Sequence, residues 1–154
     1  VSAAAPKREN APELILKRVF DAPRALVFAI WTQPEHLKHW WGPKGFTLST
    51  CEVDFRSGGA FRLGMRGPDG TDYPFPGIYE EIVAPERLVT LGTIHDRPGS
   101  EVRTTVTFED LARKTRVTVK QVYFFAADDA TRGAQVGWTQ SLDRLAEHLA
   151  AQPR

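Results

Sequence analysis

The chain has 154 residues, 42% of them hydrophobic, with 20 basic and 19 acidic side chains and a formal charge of +1. That size and apolar content fit one globular domain around one core, and the balanced charge excludes a global field that would draw the protein onto nucleic acid. The single cysteine, Cys51, excludes an intramolecular disulfide framework and a cysteine-rich zinc site, and predicts a reducing, cytoplasmic setting.

Residues 1–12 mix Ala, Pro, Lys, Arg, Glu and Asn without periodicity and read as a flexible N-terminal arm, leaving 13–152 as a single domain. No run of about eighteen apolar residues occurs, so no membrane span is predicted, and the opening segment Val1–Arg8 lacks the apolar stretch of a signal peptide. From Glu13 to Asp21 the β-branched and aromatic content predicts a strand. Pro23 then opens a helix, where a missing N–H costs nothing, and Leu26, Val27, Ile30 and Trp31 recur at helical spacing. Pro34 starts a second short helix carrying Leu37, Trp40 and Trp41 to a turn at Gly42-Pro43-Lys44-Gly45.

From Phe46 to about Phe125 the apolar period becomes two, with breaks at 57–59, 67–70, 84–86, 97–99 and 111–114 that delimit six strands. Phe61, Leu63 and Met65 share one face against Arg62 and Arg66. Val102, Thr104, Val106 and Phe108 alternate with Arg103, Thr105, Thr107 and Glu109, so one face is buried and the other wet. Val117, Val119 and Tyr123 repeat the pattern, with Gln121 on the apolar side. With the first strand, the sheet has seven strands. After Asp128-Asp129, placed to favour a helix start, a helix is predicted over roughly 133–149. Its stripe Trp138, Leu142, Leu145 and Leu149 must bury against the inner face of the sheet. The fold class is therefore α+β.

A cylinder about 10 Å across touches only part of a concave sheet, so a pocket is predicted beneath the helix unless large aromatics plug it. Its wall candidates are Trp31, Trp40, Phe61, Leu63, Met65, Tyr79, Val106, Phe108, Val119, Gln121, Trp138 and Leu142, each also readable as ordinary core. Tyr79, Gln121 and Glu81 are predicted to point inward and orient a ligand. A buried Glu81 needs a cation, and Arg18 on the first strand is the candidate, making a structural pair; a ligand contact or a base is the other role for Glu81. Asp54 and Arg56 read as a structural pair beside the Ser57-Gly58-Gly59 turn, and Cys51 as a small buried hydrophobe. Trp40 and Trp41 cannot both face the core, so one of them is predicted to make a contact outside the domain, in keeping with a homodimer through that helix or a sheet edge.

No phosphate-binding loop, dinucleotide fingerprint, nucleophile elbow or His-Glu-x-x-His pair is present. His36 and His39 lie three apart on one short helix, but no third ligand stands in register with them, so no metal is assigned. Glu80-Glu81, as strand neighbours, face opposite sides and cannot form an acid–base dyad. No catalytic residue and no cofactor are assigned.

Six segments in order carry a resemblance: Phe20-Asp21-Ala22-Pro23-Arg24; Pro34-Glu35-His36-Leu37 through Trp40-Trp41-Gly42-Pro43; Asp54-Phe55-Arg56-Ser57-Gly58-Gly59; Gly67-Pro68-Asp69-Gly70; Gly77-Ile78-Tyr79-Glu80-Glu81-Ile82; and Gly137-Trp138 through Arg144-Leu145. Together, over about Leu14 to Leu149, they resemble the bacterial activator-of-Hsp90-ATPase-homologue (AHSA1-like) branch of the START-like, Bet v1-like (SRPBCC) superfamily. The resemblance implies a helix-grip fold, with two short helices after the first strand and a curved seven-stranded antiparallel sheet around the long C-terminal helix. It also implies a cavity that holds a small apolar ligand. A co-chaperone module for an Hsp90-like partner is disfavoured, because the eukaryotic activators resemble multidomain proteins and this chain has no strongly charged face. A cyclase- or hydrolase-like enzyme would use the same cavity, with Glu81 as its one candidate acid or base.

Overall fold

The computed structural model describes residues 11–125 and 128–153. In chain order the elements are β1 (Glu13–Phe20), α1 (Arg24–Thr32), α2 (Pro34–Trp40), β2 (Thr47–Val53), β3 (Ala60–Arg66), β4 (Asp72–Tyr73), β5 (Pro76–Val83), β6 (Arg87–Thr93), a 3₁₀ turn (Ile94–Asp96), β7 (Glu101–Leu111), β8 (Lys114–Tyr123) and α3 (Asp128–Ala150). Seven strands form one antiparallel sheet in the order β1-β8-β7-β6-β5-β3-β2. Its concave face receives α3, which gives the α+β helix-grip architecture. The arm proposed for 1–12 lies almost wholly outside the described residues. Its last member, Pro12, accepts a backbone hydrogen bond from Tyr123 N–H at 2.9 Å.

Local chemistry accounts for the elements. Gln33 N–H closes α1 on Ala29 O at 3.0 Å, and Pro34 then opens α2. Trp40 is wholly buried, and its indole N–H donates to the Ile30 carbonyl at 3.0 Å, which fixes the angle between the two short helices. The strand expected over 71–83 is broken at Pro74, since proline offers no N–H to the ladder. The two-residue β4 pairs off the main path with β3, and β5 resumes at Pro76. α3 begins at Asp128, five residues ahead of the expected Gly133, and its stripe is buried at Leu142, Leu145 and Leu149. The Asp54–Arg56 pair forms at 2.9 Å.

Two expectations fail for one reason. The pairing of β5 with β6 shifts between Tyr79/Thr90 and Glu81/Val89, so Glu80 is an extra residue in a β-bulge. The shift turns Glu81 outward and gives its inward place to Ile82, which packs against the core. Glu81 therefore pairs at 2.8 Å with Arg87 on the outer surface, and Glu80 pairs with Arg103 at 2.7 Å. The two carboxylates do not straddle the sheet, and Glu81 is not in the pocket. Arg18 reaches α3 instead and meets Asp143 at 2.8 Å, tying the edge strand β1 to the helix.

Gly92 faces the concave side of β6 under the ring of Phe75, and a β-carbon built there would overlap that ring. Gly92→Ala is expected to lower unfolding free energy by about 1–3 kcal/mol through this overpacking, measured by urea denaturation.

Candidate functional site

The stripe of α3 changes size along its length. Its C-terminal half presents Leu142, Leu145 and Leu149, all buried, while the turns before Trp138 present Gly133, Ala134 and Gly137. Large side chains bring the C-terminal half into close packing, and small ones leave the space between the N-terminal half and the sheet unfilled. Between that half and the strands lies a cavity of about 400 Å³. Aromatic side chains fill the other end of the concavity. Phe28 and Phe108 meet edge-on at 5.2 Å, Trp31 meets Phe108 at 5.6 Å and Trp40 at 4.7 Å, and Trp31 stacks on Trp138 at 6.0 Å. The plug foreseen as an alternative is thus partial.

The structure brings Trp31, Phe61, Leu63, Met65, Tyr79, Val106, Gln121 and Trp138 to the cavity wall. It does not bring Trp40, Phe108, Val119, Leu142 or Glu81 there. Trp40 faces the other way into the α1–α2 junction, and Trp41 takes the wall position in its place, meeting Trp138 edge-on at 5.8 Å. Trp40 is wholly buried, and Trp41 is half-buried and packs against the core. Phe108 lies under α1 against Phe28 and Trp31. Leu142 is one turn of α3 beyond Trp138, in the closely packed half, and Val119 is buried in the core where β8 approaches β1.

Sequence reasoning missed the wall residues outside the long strands and helices, Trp41-Gly42-Pro43, Tyr73-Pro74-Phe75 and Ile94-His95, and also Thr90 on the floor. The first loop is clamped by α3. Gly42 N–H donates to Ser141 Oγ at 3.1 Å, Lys44 N–H to Gln140 Oε1 at 3.1 Å, and Arg144 donates to the Gly42 and Pro43 carbonyls at 2.8 and 3.0 Å. His95, at φ 55 in the left-handed region, lies against Tyr73 at 5.1 Å. Burial and then Arg97 hold its pKa below the ordinary value.

The floor has one polar line. Register pairs Tyr79 with Thr90, Thr90 with Thr104, and Thr104 with Gln121, so four side chains on adjacent strands share one rung and one face. Gln121 Nε2 donates to Thr104 Oγ1 at 3.0 Å, and the Tyr123 hydroxyl donates to Gln121 Oε1. Burial pushes the Tyr123 phenol up to about 12. Burial, and secondarily Cys51, raises that of Tyr79. The Cys51 thiol is half-buried and is itself raised by burial. No Asp, Glu, Lys or Arg lines the cavity among the described residues.

Outside the cavity, His148 of α3 joins the two histidines of α2. His36 Nδ1 lies 3.0 Å from His148 Nε2, and the His39 ring stacks on His148 at 4.6 Å. Stacking turns ring nitrogens away from a common centre, and among the described residues no group of three donors could hold a metal ion.

Residues 21–150 match the family described as Activator of Hsp90 ATPase homolog 1-like protein. The chain belongs to this AHSA1-like family. No curated protein matches it. Among solved structures, protein NE0264 from Nitrosomonas europaea is similar, at 29% identity and TM-score 0.80 over 90% of this chain and 94% of that one. Protein CV1439 from Chromobacterium violaceum is 29% identical, with TM-score 0.75 over 88% of this chain and 96% of its own. The AHSA1 protein SPO3351 from Silicibacter pomeroyi is 26% identical, with TM-score 0.81 over 90% and 98%. The AHSA1-like fold, consistent with the Bet v1-like superfamily, is thus established by sequence and by shape. None of its helices among the described residues is long and apolar enough to cross a membrane.

The histidine cluster makes stability depend on pH. Burial, then His39 and His36, hold His148 below its ordinary 6.5. The unfolded chain therefore binds the proton more readily, so this contribution is complete above the unfolded value and is lost as pH falls through it toward the folded one. Melting temperature is expected to drop between about pH 7.5 and 5.5, and His148→Gln is expected to flatten that drop, as read by differential scanning calorimetry.

Proposed function

We propose that this AHSA1-like domain binds a small, neutral, largely apolar molecule in the cavity between α3 and β5–β8. The observation that carries the reading is the cavity itself: about 400 Å³ with an aromatic and aliphatic wall, a few hydroxyl and amide groups, and no charged side chain among the described residues. Small-molecule sites fall in the range of roughly 300–1,000 Å³ and have this character, an apolar wall with a few placed polar groups. Binding would be driven by removal of apolar surface from water, at about 25 cal/mol per Å². A charged ligand would lose its hydration without a counter-charge to replace it.

Trp31, Trp41 and Trp138 all line the space, so occupancy reports on intrinsic fluorescence. The neutral dye N-phenyl-1-naphthylamine is expected to bind saturably at one site per chain and to quench tryptophan emission by energy transfer. Ala134 faces the cavity from α3. Ala134→Trp fills the space from the helix side and is expected to weaken dye binding at least about tenfold, a loss of about 1.4 kcal/mol. Equal dye affinity in the two proteins would place the dye elsewhere and sink the reading.

A further inference from the structure

The rung Tyr79–Thr90–Thr104–Gln121 crosses four adjacent strands on the cavity floor. Neighbouring strands lie about 4.8 Å apart, so the rung sets four backbone positions at regular steps along a line perpendicular to the strands, and the Tyr79 ring, packed on Phe55 and Phe61, carries its hydroxyl beyond its own step. The flanking rungs carry Gly92, Val102 and Tyr123 on one side, the Tyr123 hydroxyl turning back to Gln121, and Leu88 and Val106 on the other. The result is one polar stripe in an otherwise apolar floor.

The stripe is only half satisfied from within. Gln121 is engaged by Thr104 and Tyr123. The Thr90 and Tyr79 hydroxyls make no hydrogen bond among the described residues, and both residues line the cavity. No buried side-chain nitrogen or oxygen among the described residues lacks a partner, so these two hydroxyls are accessible rather than sealed in the core. An accessible hydroxyl on an apolar floor keeps hydrogen-bonding capacity that a ligand oxygen can take up, which an apolar side chain of the same shape would lack. Nothing in the packing of the core needs it, since valine and phenylalanine would fill the same volume at these positions.

We propose that the ligand is an elongated neutral molecule lying across the strands, with two or more hydroxyl or carbonyl oxygens along one edge, facing Tyr79 and Thr90. This rests on the reading of the cavity as a binding site and names the class of molecule that site selects. Thr90 and Tyr79 select the edge, and the apolar rungs and tryptophan wall take the rest of the molecule.

Two isomers separate this from simple apolar binding. In 1,7-dihydroxynaphthalene both oxygens lie on one edge at about one strand spacing, whereas in 2,6-dihydroxynaphthalene they lie on opposite edges of the same skeleton. By isothermal titration calorimetry the wild-type protein is expected to bind the first isomer about tenfold more tightly, the ratio that one or two neutral hydrogen bonds supply. In the double variant Thr90→Val, Tyr79→Phe the ratio is expected to fall to about one, with N-phenyl-1-naphthylamine affinity changed less than about twofold. Both substitutions remove hydroxyls without partners among the described residues, so the melting temperature should hold or rise. Dye binding without isomer preference, or a preference that survives in the double variant, overturns the oxygen-edge proposal and leaves the cavity reading standing. Absence of dye and of both isomers overturns the two together.

Discussion

The gradient of side-chain size along α3 governs the rest of the structure. Leu142, Leu145 and Leu149 commit the C-terminal half of the helix to the core, and Arg18 meeting Asp143 at 2.8 Å fixes that half against the edge strand β1. Before Trp138 the same side of the helix carries Gly133, Ala134 and Gly137, which cannot reach the floor of the sheet. A rigid helix anchored at one end and lined with small residues at the other must leave a void, because close packing needs atoms to fill the space. Gln140, Ser141 and Arg144 tie the Trp41–Lys44 loop to the helix, which holds Trp41, Gly42 and Pro43 at the wall of that void.

The sheet separates two electrostatic environments. Outside, arginine and glutamate side chains pair across strands, as in Arg103 with Glu80, Arg87 with Glu81 and Arg116 with Glu109, all partly solvated. Such pairs add little stability individually, and they keep charge on the convex face. Inside, among the described residues, the polar side chains on the cavity wall are hydroxyls, an amide and the His95 ring. The bulge at Glu80 is the device that enforces this separation on β5, because without it Glu81 would occupy the inward place that Ile82 holds.

Much of the fold was legible in the chain. The change of apolar period from helical to two and back marked α1, α2, the strands and α3 in order. Local chemistry marked the boundaries, as in Pro34 between the short helices. The site was legible only in part. Tyr79 and Gln121 could be read as inward polar residues from alternation, yet Thr90 gave no signal, since threonine is at home on either face of a strand. Glu81 was misplaced because one extra residue in a bulge reverses alternation, and the bulge has no mark in the local pattern. Trp40 and Trp41 exchanged roles because adjacent helix-end residues differ only in direction, which the Trp40 N–H bond to Ile30 decides.

Amphipathic period, turn residues and the ordered motifs of an AHSA1-like chain determined by themselves the order of the main elements and the burial of Leu142, Leu145 and Leu149 on the α3 stripe. These depend on neighbours a few residues apart, and so are written locally. Tertiary structure alone decided which buried residues face a void and which face each other, that Tyr79, Thr90, Thr104 and Gln121 stand in one rung, and that His148 joins His36 and His39. Each of those depends on the register between segments distant in the chain, which is set by the whole packed sheet and helix rather than by any stretch of sequence.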